Sequence, residues 1–250
     1  MIEIFTQTER EALREALIAR AQQDPDVSAA ALVGSVATGR EDRWSDIDLV
    51  LGVEASVVDT VAHRWTNAMY GEHGAVHHLD VVAAGVLYRV FLLASSLQVD
   101  ISFWPQDQVR ATEESFQLLF GEVNEPTVPR EQDPAAAIGW AWLYALHARS
   151  ALARGRTWQA VMMLDDLRNQ VLSLACLRHG LVAFHGRGVD QLPTAVLAAF
   201  ADAHSSDLTD AALARRFRSL LDLLLTEIIE YDRDLAERLR PSLLLLTSQS

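Results

Sequence analysis

Two short motifs within residues 32–53 combine the residue types of a metal site and a phosphate site. Gly34 and Ser35 follow an apolar segment, and ten further residues separate them from Asp46 and Asp48. Because side chains alternate along a strand, the two carboxylates point to the same face, where they repel each other unless a cation lies between them. Hard oxygen ligands of this kind suit Mg²⁺, which takes one or two protein carboxylates together with substrate phosphates. The spacing therefore predicts a magnesium site at Asp46 and Asp48.

The residues that precede these acids predict a phosphate cradle. A glycine such as Gly34 lets the backbone approach a ligand closely, and backbone N–H groups at a helix start attract anions. The Ser35 hydroxyl can donate to a phosphate, although a turn-forming serine is the alternative interpretation. Arg40 and Arg43 lie between the motifs, where they either reach a triphosphate or stay exposed in a loop. The sequence contains no lysine, so positive charge at the phosphates must come from arginine or a metal ion.

The two motifs together, Gly34-Ser35 and Asp46-Ile47-Asp48 in the pattern G-S-x10-D-x-D, resemble the signature of the DNA polymerase β-like nucleotidyltransferases. The likeness is strongest to the small bacterial members. These are the aminoglycoside and lincosamide nucleotidyltransferases and the minimal nucleotidyltransferases of toxin–antitoxin pairs. The resemblance is specific because two separate parts agree at a fixed spacing, whereas a lone G-S or D-x-D would be weak.

The resemblance implies a third carboxylate on a later strand. Residues 97–103 fit, because they alternate so that three apolar side chains share one face and Asp100 lies on the other. Asp80, within the segment 77–81, is a rival for this place. Asp100 is preferred because its neighbours on both sides resemble the family's third-carboxylate strand. By the same resemblance, Asp100 is the candidate general base.

Composition bounds the class of protein. The chain has 250 residues, of which half are hydrophobic, and a formal net charge of -13. Such an acidic balance argues against non-specific nucleic-acid binding and is compatible with a cationic small substrate. No apolar run approaches the ~18 residues of a membrane helix. The N-terminus has no secretory signal and there is a single cysteine, so we expect a cytoplasmic protein without a membrane partner.

The order of helical and strand patterns predicts two domains. Residues 1–122 interleave strands with helices, which indicates a mixed sheet backed by helices and an α+β fold class. The proline-rich segment 124–134 is the expected joint. Residues 132–250 show only helical patterns, which predict a bundle of four or five helices. Such a bundle resembles the substrate-binding half of the antibiotic-modifying members of the family.

For two other groups of polar residues, we prefer a structural role to a functional one. Residues 73–78 hold three histidines, which suggest zinc, but no cysteine accompanies them and a solvated loop is expected. Asp165 and Arg168 lie three positions apart on a predicted helix, as in an ordinary surface ion pair. Trp140, Trp142, Tyr144 and Trp158 are expected mainly in the bundle core, and the alternative is that one or two of them form the floor of the acceptor pocket.

The resemblance implies a reaction. A nucleoside monophosphate, with AMP from ATP as the first choice, would move to a hydroxyl of a small acceptor as pyrophosphate leaves, with two Mg²⁺ ions held by Asp46, Asp48 and Asp100. The acidic balance and the helical region favour an aminoglycoside-like antibiotic as acceptor, and hence a role in resistance. The alternatives are a protein-AMPylating enzyme of the antitoxin type and a non-catalytic nucleotide-binding regulator. The oligomeric state is left open.

Overall fold

The structure, a computed structural model, describes residues 4–111, 115–126, 133–204 and 206–247. It divides the chain into two units, Met1–Arg130 and Glu131–Ser250. The first contains a mixed sheet with helices and the second is helical, which confirms the α+β fold class with a helical C-terminal region. Part of the proline-rich joint and the predicted start of the second domain at residue 132 lie outside the described residues. The roles predicted for the two domains stay predictions.

In the described part of the first unit, six strands form one sheet in the order β3-β4-β5-β2-β1-β6. Strands β2 and β5 run parallel, and the other neighbours run antiparallel. The elements in chain order are α1 Gln7–Gln23, β1 Val27–Val33, α2 Gly34–Ala37, β2 Ile47–Val53, α3 Val58–Glu72, β3 Ala75–Ala83, β4 Val86–Leu93, β5 Gln98–Pro105 and β6 Phe116–Phe120.

The two-residue period of the strands directs one face of the sheet towards helices α1 and α3. Trp65 of α3 is fully buried against this face, and its indole nitrogen donates to Asp24 Oδ2 at 2.9 Å. Such burial of large apolar side chains supplies most of the favourable free energy of folding. The strand residues that share this core are Leu32, Ile47, Leu49, Leu51, Phe91, Val99, Ile101 and Phe103.

The opposite face of the same sheet buries far fewer hydrophobic side chains. Its cluster is built around Val50 and Trp104, with Ala31, Val86 and Val109. Asp48 pairs in register with Asp100, and Val50 pairs with Ser102 two positions further on. Since residues two apart share a face, Asp48 and Asp100 lie on this second face, away from the helices.

Two features of the sheet differ from the sequence-based expectation. The sequence pattern indicates residues 99–103 as the last strand, but Phe120 and its neighbours form a further, outer strand β6 beside β1. Strand β3 begins at Ala75, so His77 and His78 lie in a strand rather than in a loop. Pairing with β4 decides this local structure, and a single polar segment does not reveal its partner.

The second unit packs helices around a hydrophobic core. Its helices are α4 Pro134–Ala153, α5 Thr157–Arg178, α6 Thr194–Asp202, α7 Asp210–Tyr231 and α8 Arg233–Leu245. To this core α4 contributes mainly alanines, and α5 and α7 contribute mainly leucines. Ala141, Ala145 and Ala148 of α4 are fully buried, which lets the neighbouring helices approach closely. Within the described ranges, no helix is both long and apolar enough to span a membrane.

Two expectations for this unit were wrong. The amphipathic pattern of residues 208–240 predicts one long helix that ends before Pro241. Instead, the Asp232 side chain accepts from the Leu235 backbone N–H and starts a separate helix α8, which contains Pro241. The aromatic residues were expected in the core, yet Trp140 is 51% exposed and Trp158 is 70% exposed. On α4 the alanine stripe already fills the contact between helices, so the ring of Trp140 remains outside.

Candidate active site

Parallel pairing of β2 and β5 brings the three predicted acids together. Asp48 is the register partner of Asp100, and Asp46 directly precedes β2. Gln98, at the start of β5, donates from Nε2 to Asp46 Oδ2 at 3.2 Å, so the ends of the two strands are joined at this point. The acids thus meet at one end of adjacent strands, on the face that no helix of the sheet core covers.

Asp100 is the most perturbed of the ionisable groups in this region. Its Oδ1 atom is buried and has no hydrogen-bond partner among the described residues. Burial raises the pKa of the Asp100 carboxyl to about 6, and the negative charge of Asp46 contributes further. The phenol of Tyr88 also has a raised pKa, first from its own burial and then from the charge of Asp100. A half-buried carboxylate with one unpartnered oxygen beside a like charge is costly, and a bound cation or a captured proton relieves that cost.

Gly34 lies against the acid of β2. Its φ is +74°, a left-handed conformation that favours glycine, and a Cβ atom built there would overlap Oδ2 of Asp48. The short helix α2 starts at this glycine, and the Ser35 carbonyl accepts from the Arg40 backbone N–H at 2.9 Å. The glycine-serine turn and the Asp48 carboxylate are therefore in direct contact, as a combined phosphate and metal site requires.

The two predicted arginines lie on an exposed loop between α2 and β2. The Arg40 guanidinium donates from Nε to Thr38 Oγ1 at 3.1 Å. The Arg43 guanidinium lies 4.3 Å from the ring centroid of Trp44, which is itself 63% exposed. Their assignment as triphosphate ligands stays a prediction, since both side chains contact only their own loop in these interactions.

Sequence reasoning missed the arginine that holds this loop. Arg10 of α1 is fully buried and donates from Nη1 to the backbone carbonyls of Asp42 and Ser45. Its Nε lies 3.4 Å from Glu41 Oε1, which also accepts from Arg14 Nη1 at 2.6 Å. These contacts fix the segment that leads directly into Asp46. The only signal in the sequence is an arginine among helix residues, which ordinarily indicates an exposed position.

The rival acid, Asp80, belongs to a different place in the fold. Arg89 donates to both of its carboxylate oxygens at 2.6 Å, and these hydrogen bonds lower the pKa of Asp80. Arg89 also donates from Nη1 to Thr66 Oγ1 of helix α3 at 2.6 Å. Asp80 therefore lies on the helix side of the sheet as part of an ion pair, whereas Asp100 lies on the open side.

The donor set suits a hard divalent cation. The observation that fits such a cation is the unpartnered oxygen of Asp100. It lies beside the charge of Asp46 and opposite Asp48 in register. The three carboxylates do not form a complete metal site in this conformation. Within the described ranges, no three His, Cys, Asp or Glu residues are arranged to hold a metal ion. His78 instead forms a 2.8 Å hydrogen bond with the Tyr70 hydroxyl.

Solved structures similar to the chain come from several nucleotidyl-transferring systems. An aminoglycoside 6-adenyltransferase from Bacillus subtilis is 11% identical, with 96% of this chain and 98% of that chain covered and a TM-score of 0.39. A STING-associated c-di-GMP synthase from Capnocytophaga granulosa is 15% identical over 90% and 80% of the two chains, with a TM-score of 0.31. The polymerase core of TRAMP, an RNA surveillance complex, is 17% identical over 90% and 58%, with a TM-score of 0.33.

The sequence itself identifies a nucleotidyltransferase domain. No curated protein is significantly similar in sequence. Residues 12–119, however, match the model of the nucleotidyltransferase domain. This range contains the glycine-serine turn and all three acids, and it runs from helix α1 into strand β6. Residues 12–119 are therefore a nucleotidyltransferase domain, which supports the DNA polymerase β-like superfamily and an enzyme of the transferase class, as the two motifs predict.

Proposed function

We propose that this enzyme transfers AMP from ATP to a hydroxyl of a small-molecule acceptor and releases pyrophosphate. The observation that carries the proposal is the register of Asp48 with Asp100, which sets two carboxylates of neighbouring strands side by side next to Gly34. Paired carboxylates next to a glycine turn are the arrangement that a metal-bound nucleoside triphosphate needs.

The glycine-serine turn has the role of binding the phosphates. At Gly34 the backbone can approach a phosphate without a side chain in the way, and the backbone N–H groups that follow favour an anion. Asp46 and Asp48 would hold Mg²⁺ with the β- and γ-phosphates, and all three acids would share a second ion. When bound, these ions neutralise charge on the leaving pyrophosphate and lower the pKa of the acceptor hydroxyl. Arg40 and Arg43 remain the candidate cations for the triphosphate.

Asp100 has the role of proton acceptor. The acceptor oxygen attacks the α-phosphorus, its O–H proton passes to the Asp100 carboxylate, and the bond to the bridging oxygen breaks so that pyrophosphate leaves with the electron pair. Without a bound ion, the Asp100 carboxyl has a pKa of about 6, so it is largely ionised at neutral pH and able to accept a proton.

The helical unit is the proposed source of acceptor recognition. Its aromatic side chains support this role, since Trp140 and Tyr144 stack with ring centroids 5.7 Å apart and Trp140 is half exposed. Exposed stacked rings suit the faces of sugars and other rings. An aminoglycoside-like antibiotic is the acceptor that the sequence predicts, and resistance is the physiological role that this acceptor would imply.

The test is a transfer assay with the full chain. The purified protein is incubated with each NTP, Mg²⁺ and a panel of aminoglycosides and lincosamides, and mass spectrometry detects nucleoside-monophosphate adducts. We expect an adduct on a small acceptor with ATP, and none with the Asp46→Asn variant. An adduct that forms only on protein would favour AMPylation. Nucleotide binding without any adduct, unchanged in the Asp46→Asn variant, would favour a non-catalytic regulator.

A further inference from the structure

The order of strands assigns opposite sides of the site to the two substrates. The glycine-serine turn follows β1, and the sheet then continues through β2 and β5 to β4 and β3. In an in-line displacement the attacking oxygen and the leaving group lie on opposite sides of the phosphorus. Since the phosphates lie at Gly34, the acceptor must approach from beyond Asp100, over strands β4 and β3. This step rests on the proposed function.

The strand register identifies the residues at that place. Val90 of β4 pairs with Asp100, and Leu79 of β3 pairs with Val90. Partners across a pair of antiparallel strands share a face of the sheet, so both side chains lie on the same face as Asp100. The same alternation adds Tyr88, Val81 and Leu92. We call these five residues the acceptor floor: Leu79, Val81, Tyr88, Val90 and Leu92.

The acceptor floor is apolar and open. Leu79 is 64% exposed, Leu92 is 50% exposed and Val81 is 44% exposed, while Tyr88 and Val90 are half-buried. A contiguous exposed patch of this kind beside catalytic groups indicates a binding surface. The nearest charged residues of these strands, Asp80 and Arg89, neutralise each other on the opposite face. Tyr88 is the polar member of the floor, and the polar side chains of His77 and Gln98, which both pair with Leu92, border it.

We infer that the acceptor presents an apolar face, aliphatic or aromatic, beside its reactive hydroxyl. The hydroxyl lies at Asp100, and the apolar face covers Val90 and Leu79. A polycation such as an aminoglycoside gains no opposite charge on this floor and would desolvate its own charges against valine and leucine. Among the antibiotic acceptors considered, the floor therefore favours the lincosamide type over the aminoglycoside type.

The test measures binding separately from transfer. Titration calorimetry compares hexyl glucoside with methyl glucoside on the full chain. Partial burial of a methylene on an open apolar floor is expected to tighten binding by about twofold, or roughly 30-fold over the five methylenes by which the two glucosides differ. Leu79→Thr should remove a large part of this preference. The matched control is Val82→Thr, because Val82 is 72% exposed on the same strand but faces the other side and should leave the preference unchanged.

The outcomes separate this inference from the proposed function. Equal binding of the two glucosides, or equal effects of Leu79→Thr and Val82→Thr, overturns the inference even if AMP transfer to an aminoglycoside is observed. Selective binding that depends on Leu79, together with tighter binding of a lincosamide than of an aminoglycoside, supports it. If that selectivity is found but no acceptor in the panel receives AMP, the proposed reaction falls and the apolar binding surface stands.

Discussion

The two faces of the sheet are built by the same strands, but one face forms a closed hydrophobic core and the other carries the acids. In β2 the odd-numbered residues Ile47, Leu49 and Leu51 pack beneath α1 and α3, while Asp48 between them faces the open side. In β5 the same alternation separates Ile101 from Asp100. One face has aliphatic and aromatic side chains in a closed core, and the other has a small apolar cluster beside two carboxylates.

This difference shows how the fold sustains an unfavourable site. Like charges at Asp46 and Asp100 and an unpartnered buried oxygen reduce stability at the open face. The closed face contributes the burial that offsets them, through side chains such as Trp65 that have no role in chemistry. Substitutions on the closed face should therefore change stability, and substitutions on the open face should change activity.

The largest expected effect on activity comes from Asp46→Asn. Loss of one carboxylate weakens metal binding, and a metal ion supplies several kcal/mol of charge stabilisation in the transition state, so we expect transfer to fall at least ~1000-fold. The thermal midpoint should stay equal or rise, because one of two like charges is removed. Steady-state transfer assays and calorimetry measure both. Turnover at close to the wild-type rate would show that the proposed chemistry is wrong.

The largest expected effect on stability comes from Trp65→Ala on the closed face. Removal of a fully buried tryptophan leaves a cavity and an unpaired Asp24 oxygen. We therefore expect the free energy of unfolding to fall by about 3–5 kcal/mol. The open-face variant Leu79→Thr should change the free energy of unfolding by about 0.5 kcal/mol or less, since Leu79 is largely exposed. Urea unfolding monitored by circular dichroism measures both. Similar losses in the two variants would contradict the division between faces.

Gly34→Ala tests the contact between the turn and the acid, with Gly39→Ala as its matched control. Both glycines have a positive φ, so each substitution should cost about 1–2 kcal/mol of backbone strain. A Cβ at residue 34 would also overlap Asp48 Oδ2, whereas one at residue 39 meets no atom within 4 Å. Displacement of a reacting group by about 1 Å can cost ~100-fold, so transfer should fall by that order only in Gly34→Ala. Equal transfer activities in the two variants would show that the contact between Gly34 and Asp48 does not matter for transfer.

A smaller effect concerns the pH dependence of stability in the metal-free protein. The pKa of Asp100 is raised to about 6 in the folded state from 3.8, so between these values the folded protein holds the extra proton and stability falls as pH rises. Asp100→Asn removes this loss. We expect the variant to melt a few degrees higher than wild type at pH 7–8 and to lose that advantage below about pH 4, with small domains shifting several degrees per kcal/mol. A pH-independent difference in the melting temperature would argue against the buried, unpartnered carboxylate.

The sequence predicted the catalytic motif better than its surroundings. The family, the fold class and the enzyme class are confirmed, because the glycine-serine turn and the D-x-D strand are local patterns whose spacing is visible in the chain. The site assignments of Asp46, Asp48 and Asp100 remain predictions that the strand register supports.

The missed features depend on contacts between distant residues. Arg10 is a buried anchor only because the loop before Asp46 folds over helix α1, more than 30 positions away. Likewise, residues 116–120 become a strand only by pairing with β1. The exposure of Trp140 follows from the alanine stripe on its own helix, which leaves no space in the core for a large ring.

The most direct test of the account compares two acids that the sequence alone left as rivals. AMP transfer in a single turnover is measured for wild type, Asp100→Asn and Asp80→Asn, with folding checked by circular dichroism. Removal of a general base costs about 100- to 10,000-fold, so Asp100→Asn should lose at least ~100-fold. Asp80→Asn breaks only an ion pair with Arg89 on the helix side and should stay within a fewfold of wild type. Equal losses, or a larger loss in Asp80→Asn, would contradict the assignment of the chemistry to the open face of the sheet.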